Sequence, residues 1–286
     1  MLSYRHVFHA GNHADVLKHA VLLAVLDYFN QKDKPYWLID THAGAGLYRL
    51  DAGRATTHAE YADGIGRLWN RTDLPPLLAR YVEAVRIDNP DDKIKRYPGS
   101  PLLALRAMRP ADKLRLFELH PADVKLLAQN IAGAAPDAQK RVAIKQEDGF
   151  TGMKALLPPP SRRGLVLIDP AYEDKRDYLQ VVTTVKEGLQ RFATGSFMVW
   201  YPLLQKNESI TLAGKLKKLA PDWLNATLTV QAPASDGLGM HGSGVFLVNP
   251  PWTLAAALKD TLPWLVDVLK VGAGGTASYS LETSAQ

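Results

Sequence analysis

Four short apolar runs in this 286-residue chain each give way to an acidic residue. The run at 36–39 stops at Asp40, that at 114–117 at Glu118 and that at 165–168 at Asp169, while 142–145 is followed within three residues by Asp148. Runs this short and uninterrupted suit strands covered on both faces, because a half-exposed strand would alternate apolar and polar residues. Segments with helical spacing lie between them, near 121–132, 150–157 and 178–192. Strand and helix in alternation predict an α/β fold with a doubly wound, mostly parallel sheet. Such sheets bind ligands outside the carboxyl ends of their strands, so the strand-end acids are also the first candidates for a site.

The flanking segments refine this plan. Asn12 is placed to N-cap a helix over 13–30, with apolar residues at 16, 17, 20, 21, 23, 24, 25 and 28 and a break at Asp33-Lys34-Pro35. Asp40 and Glu118 are 78 residues apart, whereas a compact unit places its second acid about 20 residues on. The excess falls at 51–97, a polar, charge-mixed stretch with helical spacing at 60–70 and 76–87. We read it as a helical insertion subdomain in a core made of 1–50 and 98–286. Beyond a strand at 196–200 come a helix at 208–220 and strands near 226–231, 243–248 and 276–281, some of them antiparallel. The Gly/Ser/Thr-rich C-terminal end is expected to fray.

Composition narrows the chemistry. The chain has no cysteine, which excludes thiolate metal sites, iron–sulfur clusters and cysteine nucleophiles. Its net charge of +5 is compatible with a polyanionic partner. The N-terminus has no apolar leader, and the apolar stretch at 16–29 is broken by Lys18, His19 and Asp27. No membrane span and a cytoplasmic location are therefore expected. His6, His9, His13 and His19 lack a complete metal-ligand spacing, and no metal is expected.

Gly44-Ala45-Gly46 follows the first strand and lets backbone approach a ligand. Arg49 stands where a dinucleotide fingerprint needs a third small residue. Glu118 is a candidate for ribose hydroxyls and Asp148 for an adenine amine, with helix capping or ion pairing as the competing roles. Two tetrapeptides compete for the chemistry: Asp169-Pro170-Ala171-Tyr172 and Asn249-Pro250-Pro251-Trp252. The second is the closer match to an acid or amide, two prolines and an aromatic. Position favours the first, because it follows the strand beside the first strand, where the sheet order reverses. An aromatic amine is a poor nucleophile. Accepting its two N–H groups, on the Asp169 carboxylate and the Pro170 carbonyl, would favour a pyramidal nitrogen able to attack a sulfonium methyl in line. Tyr172 would stack on the base, worth about 1–3 kcal/mol. Arg162, Arg163, Lys215, Lys217 and Lys218 are candidates for phosphate contact or for plain solvated surface.

Several motifs together resemble one family. They are the N-terminal string from Met1 through Tyr4 and His6 and from Phe8 to His19, Asp40-Thr41-His42-Ala43-Gly44-Ala45-Gly46, Pro98-Gly99-Ser100-Pro101, Glu118-Leu119-His120-Pro121, Ser161-Arg162-Arg163-Gly164 and Trp200-Tyr201-Pro202. The set is similar to the bacterial 23S rRNA adenine-N6 methyltransferase J family over nearly the whole chain. The resemblance implies a Rossmann-like methyltransferase that uses S-adenosylmethionine and modifies one adenine of 23S rRNA, and a monomer is expected. It implies cofactor contacts for His19, His42, Ser100, Glu118, Asp148, Gly149 and Asp169, catalysis at Asp169, and an RNA contact for Tyr4. Ala171 departs from the family pattern, which has a second proline, so turnover slower than with proline is expected. The tetrapeptide alone leaves DNA adenine, a protein amide or a vestigial RNA-binding role as alternatives.

Overall fold

The computed structural model describes residues 6–51, 59–135, 138–272 and 276–284. Its main sheet is built on β1 (Trp37–Asp40), β4 (Lys113–Phe117), β5 (Val142–Lys145), β6 (Gly164–Ile168) and β7 (Ser196–Leu203), all parallel, followed by β8 (Trp223–Thr229), β9 (Gly242–Val248) and β10 (Ser278–Thr283), which join antiparallel. The strand order is β10-β8-β9-β7-β6-β1-β4-β5. From β1 the chain steps outward to β4 and β5, then returns to β6 on the other side of β1. The order therefore reverses between β1 and β6, and a crevice opens at their carboxyl ends.

The runs that form β1, β4 and β6 are largely buried as expected, with each strand serving two layers, whereas the run at 142–145 forms the edge strand β5 and is only half-buried, because one side of it has no neighbouring strand. Leu165 and Leu167 of β6 join the core on one face with Leu17, Leu38 and Leu114, whereas Val166 and Ile168 join the other with Ile39, Val181 and Phe197. The first face is covered by α1 (His13–Asn30), α4 (Ser100–Ala107), α5 (Pro121–Ala134) and α9 (Leu254–Leu269), the second by α6 (Gly149–Gly152), α7 (Lys175–Arg191) and α8 (Asn207–Lys217). Burying one leucine or valine of this kind stabilises the fold by about 1.5–3 kcal/mol.

A second small sheet pairs β2 (Leu47–Arg49) with β3 (Arg96–Pro98), antiparallel. It brings together the two ends of the segment that holds α2 (Ile65–Leu68) and α3 (Pro76–Arg86). Ile65, Leu68, Leu78, Tyr81 and Val85 of that segment are buried in the same core as α1. α9 is an element that the sequence reading left out, and Pro263 inside it is the reason. A proline in a helix interior removes a hydrogen bond and argues locally for a break. Here Leu258, Leu262, Leu265 and Leu269 are buried along one stripe, and that burial outweighs the proline. Ser278–Thr283 at the C-terminal end pairs along its whole length with β8. Among the described residues no helix is long and apolar enough to cross a membrane.

Candidate active site

The loop after β1 is stitched to both neighbours. Thr41 donates through its backbone N–H and its hydroxyl to the Leu167 carbonyl, each at 3.0 Å, and the Ala43 N–H donates to the Phe117 carbonyl at 2.9 Å. Gly44 and Gly46 have φ of 60° and 75°, conformations that a side chain would strain. The Gly44 N–H donates to Glu118 Oε2 at 2.7 Å, so the turn and the acid after β4 hold each other. Asp40 is fully buried and accepts from the Ser100 hydroxyl at 2.6 Å and the His42 N–H at 3.1 Å. Burial raises its pKa to about 6, against the opposing effect of those two hydrogen bonds.

The crevice is a cavity of about 900 Å³. His19, His42, Gly44, Ser100, Glu118, Asp148, Gly149, Asp169 and Pro170, all singled out from the sequence, line it together. Glu118 also accepts from the His120 N–H at 2.8 Å, and burial raises its pKa. Asp148 has the competing role foreseen for it: it N-caps α6, accepting from the Phe150 N–H at 3.0 Å and the Thr151 hydroxyl at 3.1 Å. Each of these carboxylate oxygens keeps a second lone pair. The His19 ring is stacked on Tyr97, with Nδ1 2.7 Å from the Tyr97 hydroxyl, while its Nε2 is buried with no hydrogen-bond partner among the described residues. Burial lowers the pKa of His19 to about 3 and that of His42 to about 4, so both stay neutral near pH 7.

Asp169 is held by a residue that the sequence reading passed over. Lys18 of α1 donates to Asp169 Oδ2 at 2.7 Å and to Asp15 Oδ1 at 2.8 Å. Asp15 in turn lies 3.0 Å from His6 Nε2 and accepts from the Gly11 N–H at 2.8 Å. Burial opposes the charge on Lys18, but the two carboxylates outweigh it and raise its pKa. The available signal was a lysine in the middle of an otherwise apolar helix, since a buried cation needs a paired anion.

Lys18, Asp169, His6 and Ala171 also line a second, more apolar cavity of about 200 Å³, bounded by Tyr172, Trp200, Pro202, Leu204 and Met240. Asp169 thus stands where the two cavities meet. Tyr172 is buried with φ of 54°, and its hydroxyl donates to the Trp200 carbonyl at 2.7 Å. Pro170 is buried, and among the described residues its carbonyl takes no hydrogen bond. Tyr4 lies outside the described residues.

The rival tetrapeptide is at the other end of the sheet. Val248 pairs with Phe197 near the start of β7, so Asn249 follows β9 at the edge away from the crevice. Arg163 is also there, donating to the carbonyls of Phe29, Lys32 and Lys34. Among the described residues no group of three or more histidines and carboxylates is placed to hold a metal.

The large cavity is lined by Glu118, Asp123, Asp148, Asp169, Glu173, Asp174 and Asp177 against Lys18 and Lys175. That donor set would repel a pyrophosphate and suits a nucleoside carrying positive charge. The unpartnered His19 Nε2 and the spare lone pairs of Glu118 and Asp148 supply polar contacts for it.

Comparison with known proteins agrees with this geometry. A family model described as ribosomal RNA large subunit methyltransferase D, RlmJ, matches residues 33–281. Two proteins named ribosomal RNA large subunit methyltransferase J are similar over nearly full length. The one from Haemophilus influenzae is 44% identical over 99% of this chain and 98% of its own, and the one from Escherichia coli is 43% identical over 98% of each. A crystal structure of a Legionella pneumophila protein has a TM-score of 0.88 at 34% identity, covering 97% of this chain and 99% of that one.

Proposed function

The chain belongs to the ribosomal RNA large subunit methyltransferase J family, and from that premise we propose that it transfers a methyl group from S-adenosylmethionine to the exocyclic N6 of one adenine in 23S rRNA. The observation that carries this reading is the meeting of two unlike cavities at Asp169. The acid-lined one takes the cofactor. Glu118 accepts from its ribose hydroxyls and Asp148 from its adenine amine, with His19, His42, Gly44, Ser100 and Gly149 forming the walls. When bound, the cofactor supplies an electrophilic methyl group on a sulfonium.

The smaller cavity takes the target adenine, turned out of its stack. Lys18 occupies Asp169 Oδ2, which leaves Oδ1 to accept one N–H of the amine. The Pro170 carbonyl accepts the other. Held this way, the nitrogen lone pair is drawn out of conjugation and aimed at the larger cavity, and the positive charge that develops on the amine faces the Asp169 carboxylate. Tyr172 and Trp200 give the base an aromatic wall. The segment 51–97 is an insertion that braces this region through α1. The reading of it as an insertion rests on the β2–β3 pairing at its neck.

Labelled S-adenosylmethionine, incubated with protein-free 23S rRNA, DNA or protein, tests the assignment. Label is expected in RNA alone and on adenine, and label confined to DNA or protein would discard the substrate. Asp169→Ala is expected to slow single-turnover transfer by about 100-fold or more, while RNA binding stays within a few-fold. Full activity in that variant would remove Asp169 from the mechanism.

A further inference from the structure

The excess of basic residues is not spread evenly over the molecule. Between β2 and β3 most of the described cations are matched: Arg67 with Asp63, Arg71 with Asp73, Arg80 with Asp27, Arg86 with Asp92 and Lys95 with Asp91, while Lys93 forms no ion pair among the described residues. At the crevice Lys18, Lys175 and Arg176 are matched as well. The end of the sheet where the parallel strands begin is different. Trp37 is level with both Lys113 and Gly164, and Leu114 with Val142, so β6, β1, β4 and β5 start along one straight edge. A basic residue sits at each start: Arg162 before β6, Lys32 and Lys34 before β1, Lys113 opening β4 and Lys140 before β5. Lys32, Lys34, Lys140 and Arg162 are exposed. None of these five forms an ion pair among the described residues. Of the acids in these leader segments, Asp112 is buried and taken by Arg109, Asp33 is exposed between the two lysines, and Asp137 lies outside the described residues.

The edge is also rigid. Arg109 and Arg163 both donate to the carbonyls of Lys32 and Lys34, which fixes the backbone that presents those lysines. Two strands beyond β6, the Asn249 side chain donates to the carbonyls of Ala193 and Gly195 at 2.9 and 2.8 Å, and the Asn249 backbone carbonyl accepts from the Ser196 hydroxyl. That lock leaves Trp252 81% exposed on the same edge. The tetrapeptide that has no place in the crevice thus displays an open aromatic face beside a row of cations.

Across four strands the row spans about 14 Å. Unpaired point charges for phosphates and a ring for an unstacked base are the combination that holds an RNA strand. We propose that this edge is a second RNA-binding surface, which takes the sugar–phosphate backbone of the substrate RNA remote from the reacting base. It deepens the function above and rests on that reading for its substrate. β6 separates the edge from Asp169 by about 17 Å, so an RNA has to extend past the target base by more than this distance to reach both.

The test uses the full chain, the variant Lys32→Gln/Lys34→Gln/Lys140→Gln, and Trp252→Ala. Each is titrated against a long 23S rRNA fragment and a short stem-loop carrying the same adenine, from about 50 to 200 mM salt. The triple variant is expected to bind the long RNA about tenfold more weakly, with a log–log salt slope shallower by about 2. Its binding to the stem-loop and its single-turnover rate on it stay within about twofold. Trp252→Ala is expected to weaken binding of the long RNA about fivefold without changing the slope. Equal losses on both RNAs or an unchanged slope would overturn the proposal. If the wild-type chain labels neither RNA, the methyltransferase reading fails, while the binding curves still decide about the edge.

Discussion

Lys18 brings a positive charge into the middle of an apolar helix, and it is stable there because Asp15 and Asp169 meet it. Removing one partner of such a buried set costs about 3–5 kcal/mol. That interdependence explains why the sequence showed the acid but not its cation. Asp169 ends a strand and is conspicuous, whereas Lys18 is 151 positions away and gains its meaning only from the fold. Glu118 and Asp148 were legible as strand-end acids, yet their hydrogen bonds to Gly44, Phe150 and Thr151 were not. Ala171 was legible as a departure, and the structure gives that departure a setting. The next residue, Tyr172, holds a left-handed φ that costs a side-chain-bearing residue roughly 1 kcal/mol. Ala171 itself is exposed and its N–H makes no hydrogen bond among the described residues. A proline there would remove no bond and would narrow the approach to Tyr172. Ala171→Pro is therefore expected to raise the single-turnover rate several-fold and to stabilise the fold by about 0.5–1 kcal/mol. An unchanged rate in rapid-quench measurements would show that the second proline has no kinetic role.

Helix α1 links the core to the crevice. Its last turns contribute to the core, while its first two turns carry Asp15 and Lys18 to the point where the two cavities meet. Asn12 starts it, accepting from the Ala14 and Asp15 N–H groups at 3.0 and 3.1 Å, and donates to Glu60 at 3.0 Å. The cap was legible from a single asparagine before an apolar run; the tie to Glu60, 48 positions on, was not. Nearby, a Cβ on Gly64 would collide with the Gly11 carbonyl, so the segment holding Glu60 packs backbone to backbone against the α1 leader. Asn12→Ala removes a cap worth about 1–2 kcal/mol, which for a chain of this size lowers Tm by roughly 2–6 °C. Transfer is expected to slow more than cofactor binding weakens, because the first two turns hold Asp169 through Lys18. A melt that does not move, or an equal loss of rate and cofactor affinity, would count against this role. Elsewhere, elements were hidden where two signals disagreed. Pro263 masked α9, and the short β2 and β3 became visible only as a pair, because neither has enough residues to show a period.

At the scale of the whole molecule, the sheet has one carboxylate-lined end and one basic end, and its stability at low pH depends on the histidines near the first. The parallel half of the sheet was legible because buried strands leave unbroken apolar runs. The antiparallel half was legible only in outline, since pairing direction depends on crossover length and α9 was missing from the count. Burial lowers the pKa of His13 to about 4, of His19 to about 3 and of His42 to about 4, from 6.5. A depressed folded pKa means that the unfolded chain takes up protons first as pH falls. The stability from these three groups is therefore complete above 6.5 and is lost as pH falls through about 4 to 3. Groups with raised pKa values oppose them, among them Glu118 and Asp177, which burial raises. Burial raises Asp40 from 3.8 to about 6, and the Glu60 hydrogen bond raises His9, so both favour the fold at lower pH and lose that contribution as pH rises through their folded values. Three histidines with large shifts outweigh these groups. The free energy of unfolding is expected to drop by a few kcal/mol between about pH 7 and 4.5. Denaturant titrations across that range check it, and a midpoint that is flat or rises on acidification would mean that these histidines do not stay neutral in the folded chain.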